Sequence, residues 1–271
     1  MLYETRDPAL QRHLVARLNQ NPEWRLLIRN QKMALALVDM SGPKPRFASV
    51  NGNHMMYAAS LPKIAILLTV YTAFEEGTLK ETDTIHADLA AMIRVSSNEA
   101  ATRLIDSVGM KKIQATMKDP KYGFYDEMRG GGLWVGKRYA RSGARVGDPM
   151  HDISHGATAT QVSRFFYLLR QGNLINARRS AQMLGDLVDP HLHHKFVSQI
   201  LLRAPNARVY RKSGTWNQWH ADAIMVEGAA WRNYILVGLV ESTNGERILR
   251  DVLPVVEELI APPEYPDGVD Y

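Results

Sequence analysis

The chain has no cysteine, which excludes disulfides and thiolate chemistry and leaves the redox compartment unread. No apolar run approaches the ~20 residues of a bilayer-spanning helix, so no membrane span is expected. There is no basic block either. Lys and Arg are scattered and the formal charge is only +5, so neither nucleic acid nor an anionic membrane is indicated as a partner. Internal repeats and low-complexity tracts are also lacking. The opening Met1-Leu2-Tyr3-Glu4-Thr5-Arg6-Asp7-Pro8 carries acidic residues where a signal peptide needs a basic and then an apolar segment. It reads as a soluble protein, or as the mature part of an exported one. What is present is ordinary for a globular chain: 271 residues, 45% of them apolar and 23% charged, enough for one large domain or two interleaved ones.

The most informative stretch is Met55-Met56-Tyr57-Ala58-Ala59-Ser60-Leu61-Pro62-Lys63, followed by a run to Val70 that is apolar all round. Such a helix must be wrapped by other elements and is expected at the centre of the fold. Pro62 suits its first turn and Ser60 its N-cap. Ser60 and Lys63 are three apart, on one face of that turn. A hydroxyl and an amine held together in this way are what a nucleophile and its base require.

Around this stretch, Leu10 to Leu18 reads as an amphipathic helix, and Lys32 to Met40 as a strand with Arg46 to Val50 as its hairpin partner. The Ser60 helix runs to about Gly77. Further helices are expected over Ile85 to Arg94, from Ser96 to Gly109, and over Lys111 to Lys118. Pro120 to Gly156 is a long, glycine-punctuated section read as lacking secondary structure, the kind that serves as a functional loop or lid. Helices resume at Thr158 to Arg170, about Asn176 to Val188 and about His193 to Arg203. Three strand-like runs follow, Arg208 to Lys212, His220 to Glu227 and Asn233 to Glu241, then a helix from Arg247 to Ile260 and a polar tail from Pro262-Pro263. The fold class expected is α/β (α+β). An antiparallel sheet flanked by helices is built from both chain ends, 1–55 and 207–271, and a helical domain, 56–206, is inserted with the site in the crevice between them.

Three short motifs carry the chemistry, and each has a plainer reading. Ser-x-x-Lys occurs at Ser60–Lys63 and again at Ser41–Lys44, where a Gly-Pro-Lys-Pro turn fixes nothing. Ser-x-Asn occurs at Ser96–Asn98 but equally at Ser49–Asn51 and Ser242–Asn244, and Ser96-Ser97-Asn98-Glu99 is also a capping box. Lys212-Ser213-Gly214 occurs once, and in isolation is a solvated lysine at a strand end. Their order and setting are what count: a nucleophile pair at a helix start, a Ser-x-Asn between helices, and a strand-borne Lys-Ser-Gly.

In that order the motifs resemble those of the class A β-lactamase and penicillin-binding protein (D-alanyl-D-alanine peptidase) superfamily of serine acyl-enzymes. Ala58-Ala59-Ser60-Leu61-Pro62-Lys63 and Ser96-Ser97-Asn98-Glu99-Ala100-Ala101 are similar to its first and second motif segments, and the likeness spans about residues 10 to 260. The resemblance implies Ser60, Lys63, Ser96 and Lys212 as catalytic residues. Ser60 would be acylated, and Ser96 would relay a proton to the leaving nitrogen. Asn98, Ser213, Gly214 and Thr215 would bind substrate, Asn98 by its amide and Ser213 by its carboxylate, with the backbone N–H groups of Ser60 and Thr215 as the oxyanion hole. It implies a small-molecule substrate (a β-lactam or an acyl-D-alanine peptide), no cofactor, and a periplasmic or secreted location. It leaves the oligomeric state open.

The chain departs from that pattern in three ways, one being a Ser60-to-Ser96 interval markedly shorter than in class A enzymes. Ser97 stands where class A enzymes usually have Asp. No Glu-x-x-x-Asn, whose Glu activates the deacylating water, lies between Ser96 and Lys212, where the glutamates are Glu99 and Glu127. Asp126, Glu127, Asp148 and Asp152 are the carboxylates in the right section. Acylation is therefore expected and efficient hydrolysis is in doubt, which leaves a hydrolase, a binding or sensor module that acylates once, and a small-ester esterase using the same Ser60–Lys63 pair as alternatives.

Lys63 must be neutral to act as a base. A free lysine titrates at ~10.4, and bringing it near 7 costs roughly 4 kcal/mol, against the ~0.3–1 kcal/mol a helix N-terminus supplies. Burial and the second charge of Lys212 must provide the rest. His151-Asp152-Ile153-Ser154-His155 spaces two histidines as a zinc helix would, but Pro149 and Gly156 bracket it, and no metal is expected. His191-Leu192-His193-His194 most simply caps a surface helix. Trp216, Trp219 and His220 either line a pocket or pack the sheet.

Overall fold

The computed structural model describes residues 2–229, 231–263 and 265. Two helices open the chain, α1 (Pro8–Asn19) and α2 (Pro22–Arg29). Each begins with proline behind an Asp or Asn cap: Asp7 accepts from the Leu10 amide, and Asn21 from those of Glu23 and Trp24. The hairpin β1 (Met33–Asp39) and β2 (Arg46–Val50) follows, then the short β3 (Met56–Tyr57). Next come α3 (Lys63–Glu75), α4 (Asp83–Arg94), α5 (Asn98–Val108) and α6 (Met110–Lys118).

The section expected to lack secondary structure holds four short strands: β4 (Tyr125–Asp126), β5 (Gly131–Gly132), β6 (Trp134–Val135) and β7 (His155–Ala157). β4 pairs with β5, and β3, β7 and β6 form a small sheet. Pairs of two or three residues leave no period to read, which is why the glycines dominated the expectation. Helices α7 (Ala159–Arg170), α8 (Ala177–Leu187) and α9 (Phe196–Arg203) lead into β8 (Arg208–Trp216), β9 (Trp219–Glu227), β10 (Asn233–Glu241) and α10 (Gly245–Ile260). The polar tail expected after Pro263 lies, apart from residue 265, outside the described residues.

The main sheet has five strands in the order β2-β1-β10-β9-β8, with Met33 opposite Val240, so both ends of the chain build it. Every residue of β1 is buried, yet its two faces serve different cores. Ala34, Ala36 and Val38 pack toward α3 and α7, while Met33, Leu35 and Leu37 pack toward α1 and α10. Helices thus cover the sheet on both sides. Helix α3 is buried from Lys63 through Tyr71, as its unbroken apolar run requires. Each of its Leu and Ile side chains contributes about 1.5–3 kcal/mol by leaving water. Its length therefore fixes firmly where its N-terminus, and the Ser60 turn before it, must lie.

Two starts differ from the sequence expectation by a residue or two. Ser60 is not the N-cap of α3: Pro62 occupies that position and no side chain caps it. Ser60 instead sits in the preceding turn, behind Ala59 at φ +50°. Nor is Ser96 the cap of α5. Ser97 takes that role, accepting from the Ala100 amide at 3.1 Å, and Ser96 is released with φ +60°. Left-handed backbone at Ala59 and Ser96, neither of them glycine, places local strain just before Ser60 and at Ser96 itself.

Candidate active site

β8 is an edge strand, and the Ser60 turn packs against it at Gly214. The approach is close enough to require glycine. A Cβ on Gly214 would lie 2.2 Å from the Ala58 carbonyl oxygen and 2.7 Å from the Ser60 nitrogen. From behind, the ammonium of Lys195, only 1% exposed, donates to the Gly214 carbonyl at 2.7 Å, the Thr215 hydroxyl at 2.8 Å and the Ala221 carbonyl at 3.1 Å. Burial lowers Lys195 to about 8, against the pull of Asp222. This support had no sequence signal: Lys195 lies after a histidine run, and φ +56° turns it back under the strand.

The motif residues converge at that edge. Lys63 is fully buried, and its Nζ donates to the Ser96 carbonyl at 2.6 Å and to Asn98 Oδ1 at 2.8 Å. It lies 3.4 Å from the Ser96 hydroxyl, which accepts from Lys212 Nζ at 2.9 Å. Lys212, 1% exposed, also donates to the Ser213 carbonyl at 2.8 Å. It is no solvated strand-end lysine. Burial alone carries Lys63 down to about 7, with Glu99 opposing. Lys212 is held well below the usual lysine range, first by burial and then by the charge of Lys63. The mutual repulsion of the two amines therefore shows on Lys212, whereas Lys63 was expected to need it.

One expected contact is not made. The Ser60 hydroxyl has no hydrogen bond among the described residues, to Lys63 or to any other group. Spacing of three aligns side chains only inside a helix, and Ser60 stands before it. The Lys63 amine is turned to the Ser96–Asn98 segment instead. A neutral amine has two N–H groups and one lone pair; the two short bonds to Ser96 O and Asn98 Oδ1 use the former, and the longer approach of the Ser97 carbonyl, at 3.3 Å, has to give way for the lone pair to take a proton. Ser213 is buried with a hydroxyl unbonded among the described residues, and Thr215 is exposed at the strand end.

A cleft of about 920 Å³ opens beside these groups, lined among others by Tyr57, Asn98, Glu99, Tyr139, His155 and Trp216. Tyr139 was not foreseen. Its hydroxyl donates to the Ala59 carbonyl at 3.1 Å, and the Lys63 amine lies 4.5 Å from its ring centre. His155 bonds the Lys137 carbonyl through Nε2 at 3.0 Å, and burial holds it neutral, at about 4. His151 is exposed in a turn and His155 is buried on β7 with both ring nitrogens in hydrogen bonds, so the two do not stand on one helix face as a zinc helix motif requires. Trp216 lines the cleft, Trp219 packs on Tyr57 at 5.4 Å, and His220 is buried against Gly245.

The carboxylates proposed for deacylation stand elsewhere. Asp148 is consumed in a turn, accepting from the Tyr125 hydroxyl at 2.8 Å and from the amides of Met150, His151 and Ile153. Asp152 pairs with Arg145 at 2.8 Å and Asp126 with Arg129 at 3.3 Å, and Glu127 lines a different surface hollow. Glu99 is the one carboxylate on the cleft wall among the described residues, and the Ser97 hydroxyl holds it at 3.0 Å.

The fold, a sheet covered by helices on both sides, has counterparts among solved structures. The β-lactamase from Sphaerobacter thermophilus DSM 20745 superposes with a TM-score of 0.70 at 17% identity, over 92% of this chain and 98% of that one. An ancestral (GNCA) class A β-lactamase gives 0.68 at 16% identity, over 88% and 98%. A PBP-A mutant, solved as its acyl-enzyme complex with penicillin G, gives 0.68 at 16%, over 93% and 96%. The fold is thus that of the β-lactamases and penicillin-binding proteins. Residues 87–254 match the beta-lactamase enzyme family, and the chain belongs to that family of hydrolases. No curated protein matches its sequence.

Proposed function

We propose that the protein is a serine acyl-enzyme of the penicillin-recognising kind, acting on β-lactams or D-alanyl peptide-like amides. The observation that carries this reading is the buried amine of Lys63, lowered to about 7 and linked through Ser96 to Lys212. Ser60 Oγ attacks the carbonyl while its proton passes to the Lys63 lone pair. Oxyanion charge falls on the backbone N–H groups of Ser60 and Thr215, which Gly214 and Lys195 hold in register. As the C–N bond breaks, Ser96 gives its proton to the leaving nitrogen and is resupplied from the lysines. Asn98 holds the substrate amide. Ser213 and Lys212 meet its carboxylate, whose charge favours protonation of Lys212 as it binds. In this reading the molecule has two lobes, 1–55 with 207–271 and 56–206, and substrate enters between them.

A second reading, a binding or sensor module that acylates once, draws support from the cleft wall. None of Asp126, Glu127, Asp148 and Asp152 lines it, and Glu99 is water-exposed and engaged. Mass spectrometry after incubation with a penicillin, with Ser60→Ala as control, separates the readings. A lasting adduct on Ser60 supports the sensor, turnover the hydrolase. No adduct with penicillin, alongside Ser60-dependent cleavage of a small ester, points to an esterase and overturns both.

A further inference from the structure

Residues 136–147 form a lip over the cleft that carries four cations, Lys137, Arg138, Arg141 and Arg145, and no acid. Two of them are spent. Arg138 pairs with Asp106 of α5 at 2.6 Å, tying the lip to that helix, and Arg145 pairs with Asp152 at 2.8 Å. Lys137 and Arg141 line the cleft with no carboxylate partner among the described residues, and Lys137 Nζ reaches only the Arg141 carbonyl, at 3.5 Å.

Unpaired surface cations are ordinary, but these are built in. The lip closes on itself through the Val146 amide and Gly136 carbonyl at 2.7 Å and a bridge between Lys137 and Arg145. It is fastened to the site at two points: the Lys137 carbonyl to buried His155 at 3.0 Å, and Tyr139 to the turn of the nucleophile at 3.1 Å. Lys137 is therefore carried by a frame fastened beside Ser60, with Arg141 at its exposed tip, and both line the cleft together with Asn98 and with Glu99, whose carboxylate the Ser97 hydroxyl engages.

We propose that Lys137 and Arg141 form a specificity subsite for an acidic group on the acyl side of the substrate. The preferred donors would then be amides whose acyl portion bears a carboxylate beyond the one met by Lys212 and Ser213. This inference rests on the acyl-enzyme reading of Ser60. Attraction to such a pair in partly exposed surroundings is modest and weakens with salt, which sets the scale of the effect.

The test compares three penicillins that differ at one side-chain carbon, bearing hydrogen (benzylpenicillin), carboxylate (carbenicillin) or ammonium (ampicillin). Second-order acylation of the full chain is expected to run carboxylate over hydrogen over ammonium, with about three- to tenfold between the ends at low salt and less as salt is added. Replacing both Lys137→Gln and Arg141→Gln flattens the order, and Lys137→Glu with Arg141→Glu reverses it. Equal rates in the wild type, or an order that survives the charge reversal, overturns the subsite while leaving Ser60 acylation standing. Benzylpenicillin giving neither a Ser60 adduct nor Ser60-dependent turnover overturns the acyl-enzyme reading and this inference with it.

Discussion

Lys212 donates to the hydroxyl of Ser96 at 2.9 Å, joining the edge strand to the turn between α4 and α5. Since Lys63 of α3 lies 3.4 Å from the same oxygen, three segments distant in sequence meet through one hydroxyl. Its neighbour Ser97 does different work, capping α5.

Adjacent serines with separate duties make a paired prediction. Ser96→Ala should slow acylation by about 10²–10⁴-fold, the usual worth of a positioned proton donor, with α5 intact. Ser97→Ala should cost about 1 kcal/mol of stability as a lost cap. Denaturant melts and stopped-flow acylation of the two variants check this, and a reversal of the two effects would show that the roles are exchanged.

Acylation should rise with pH through about 7, as Lys63 gives up its proton. Lys63→Arg should abolish it, since a guanidinium stays charged at any pH proteins tolerate. Stability carries a sign of its own. Between about 7, the folded value, and 10.5, the ordinary lysine value, the unfolded chain holds a proton that the folded chain lacks. Stability therefore climbs with pH across that window, by up to about 5 kcal/mol for this group, and gains nothing from it below 7. Chemical melts between pH 7 and 10 should show a shallower climb in Lys63→Met than in the wild type.

Gly214→Ala should be costly well beyond its size. The added carbon meets the Ala58 carbonyl at 2.2 Å, so the strand and the Ser60 turn must part. A loss of about 1–3 kcal/mol is expected from overpacking, with a larger proportional fall in acylation because the oxyanion donors separate. Acylation kinetics beside a thermal melt measure both.

Beneath Lys212, Arg211 and Asp222 form a buried pair, 2% and 0% exposed and 2.7 Å apart, with Asp222 also accepting the Phe196 amide. Asp222→Ala leaves a buried guanidinium uncompensated and should cost about 3–5 kcal/mol, read as a large drop in melting temperature. Replacement of both partners by apolar residues of similar volume should recover most of it.

Much of this arrangement was legible in the residues. The all-round apolar run after Lys63 predicts a central helix, and α3 is buried from Lys63 through Tyr71. The strand-like runs near the C-terminus predict β8 to β10, although β8 runs on through Lys-Ser-Gly to Trp216 because pairing with β9, not composition, sets its length. α2 was missed because eight residues give too few turns for a period to show. The caps slipped by one or two residues, since Ser96 and Ser97 are chemically alike and only the strained backbone at Ser96 decides between them. Tyr139, His155 and Lys195 were not foreseen. Each gains its role from segments far away in sequence, which no local pattern records.

The pairing of β1 with β10, Met33 opposite Val240, sets how the molecule can assemble. The first strand has to wait for nearly the whole polypeptide before its central partner exists, so loop closure must precede any reward from that contact. Formation of the sheet should then be the slow step, and the seam against Ser60 should be among the last features to mature. A nascent chain would hold α3 unsheltered until then, and transient chaperone cover during synthesis would protect it from aggregation.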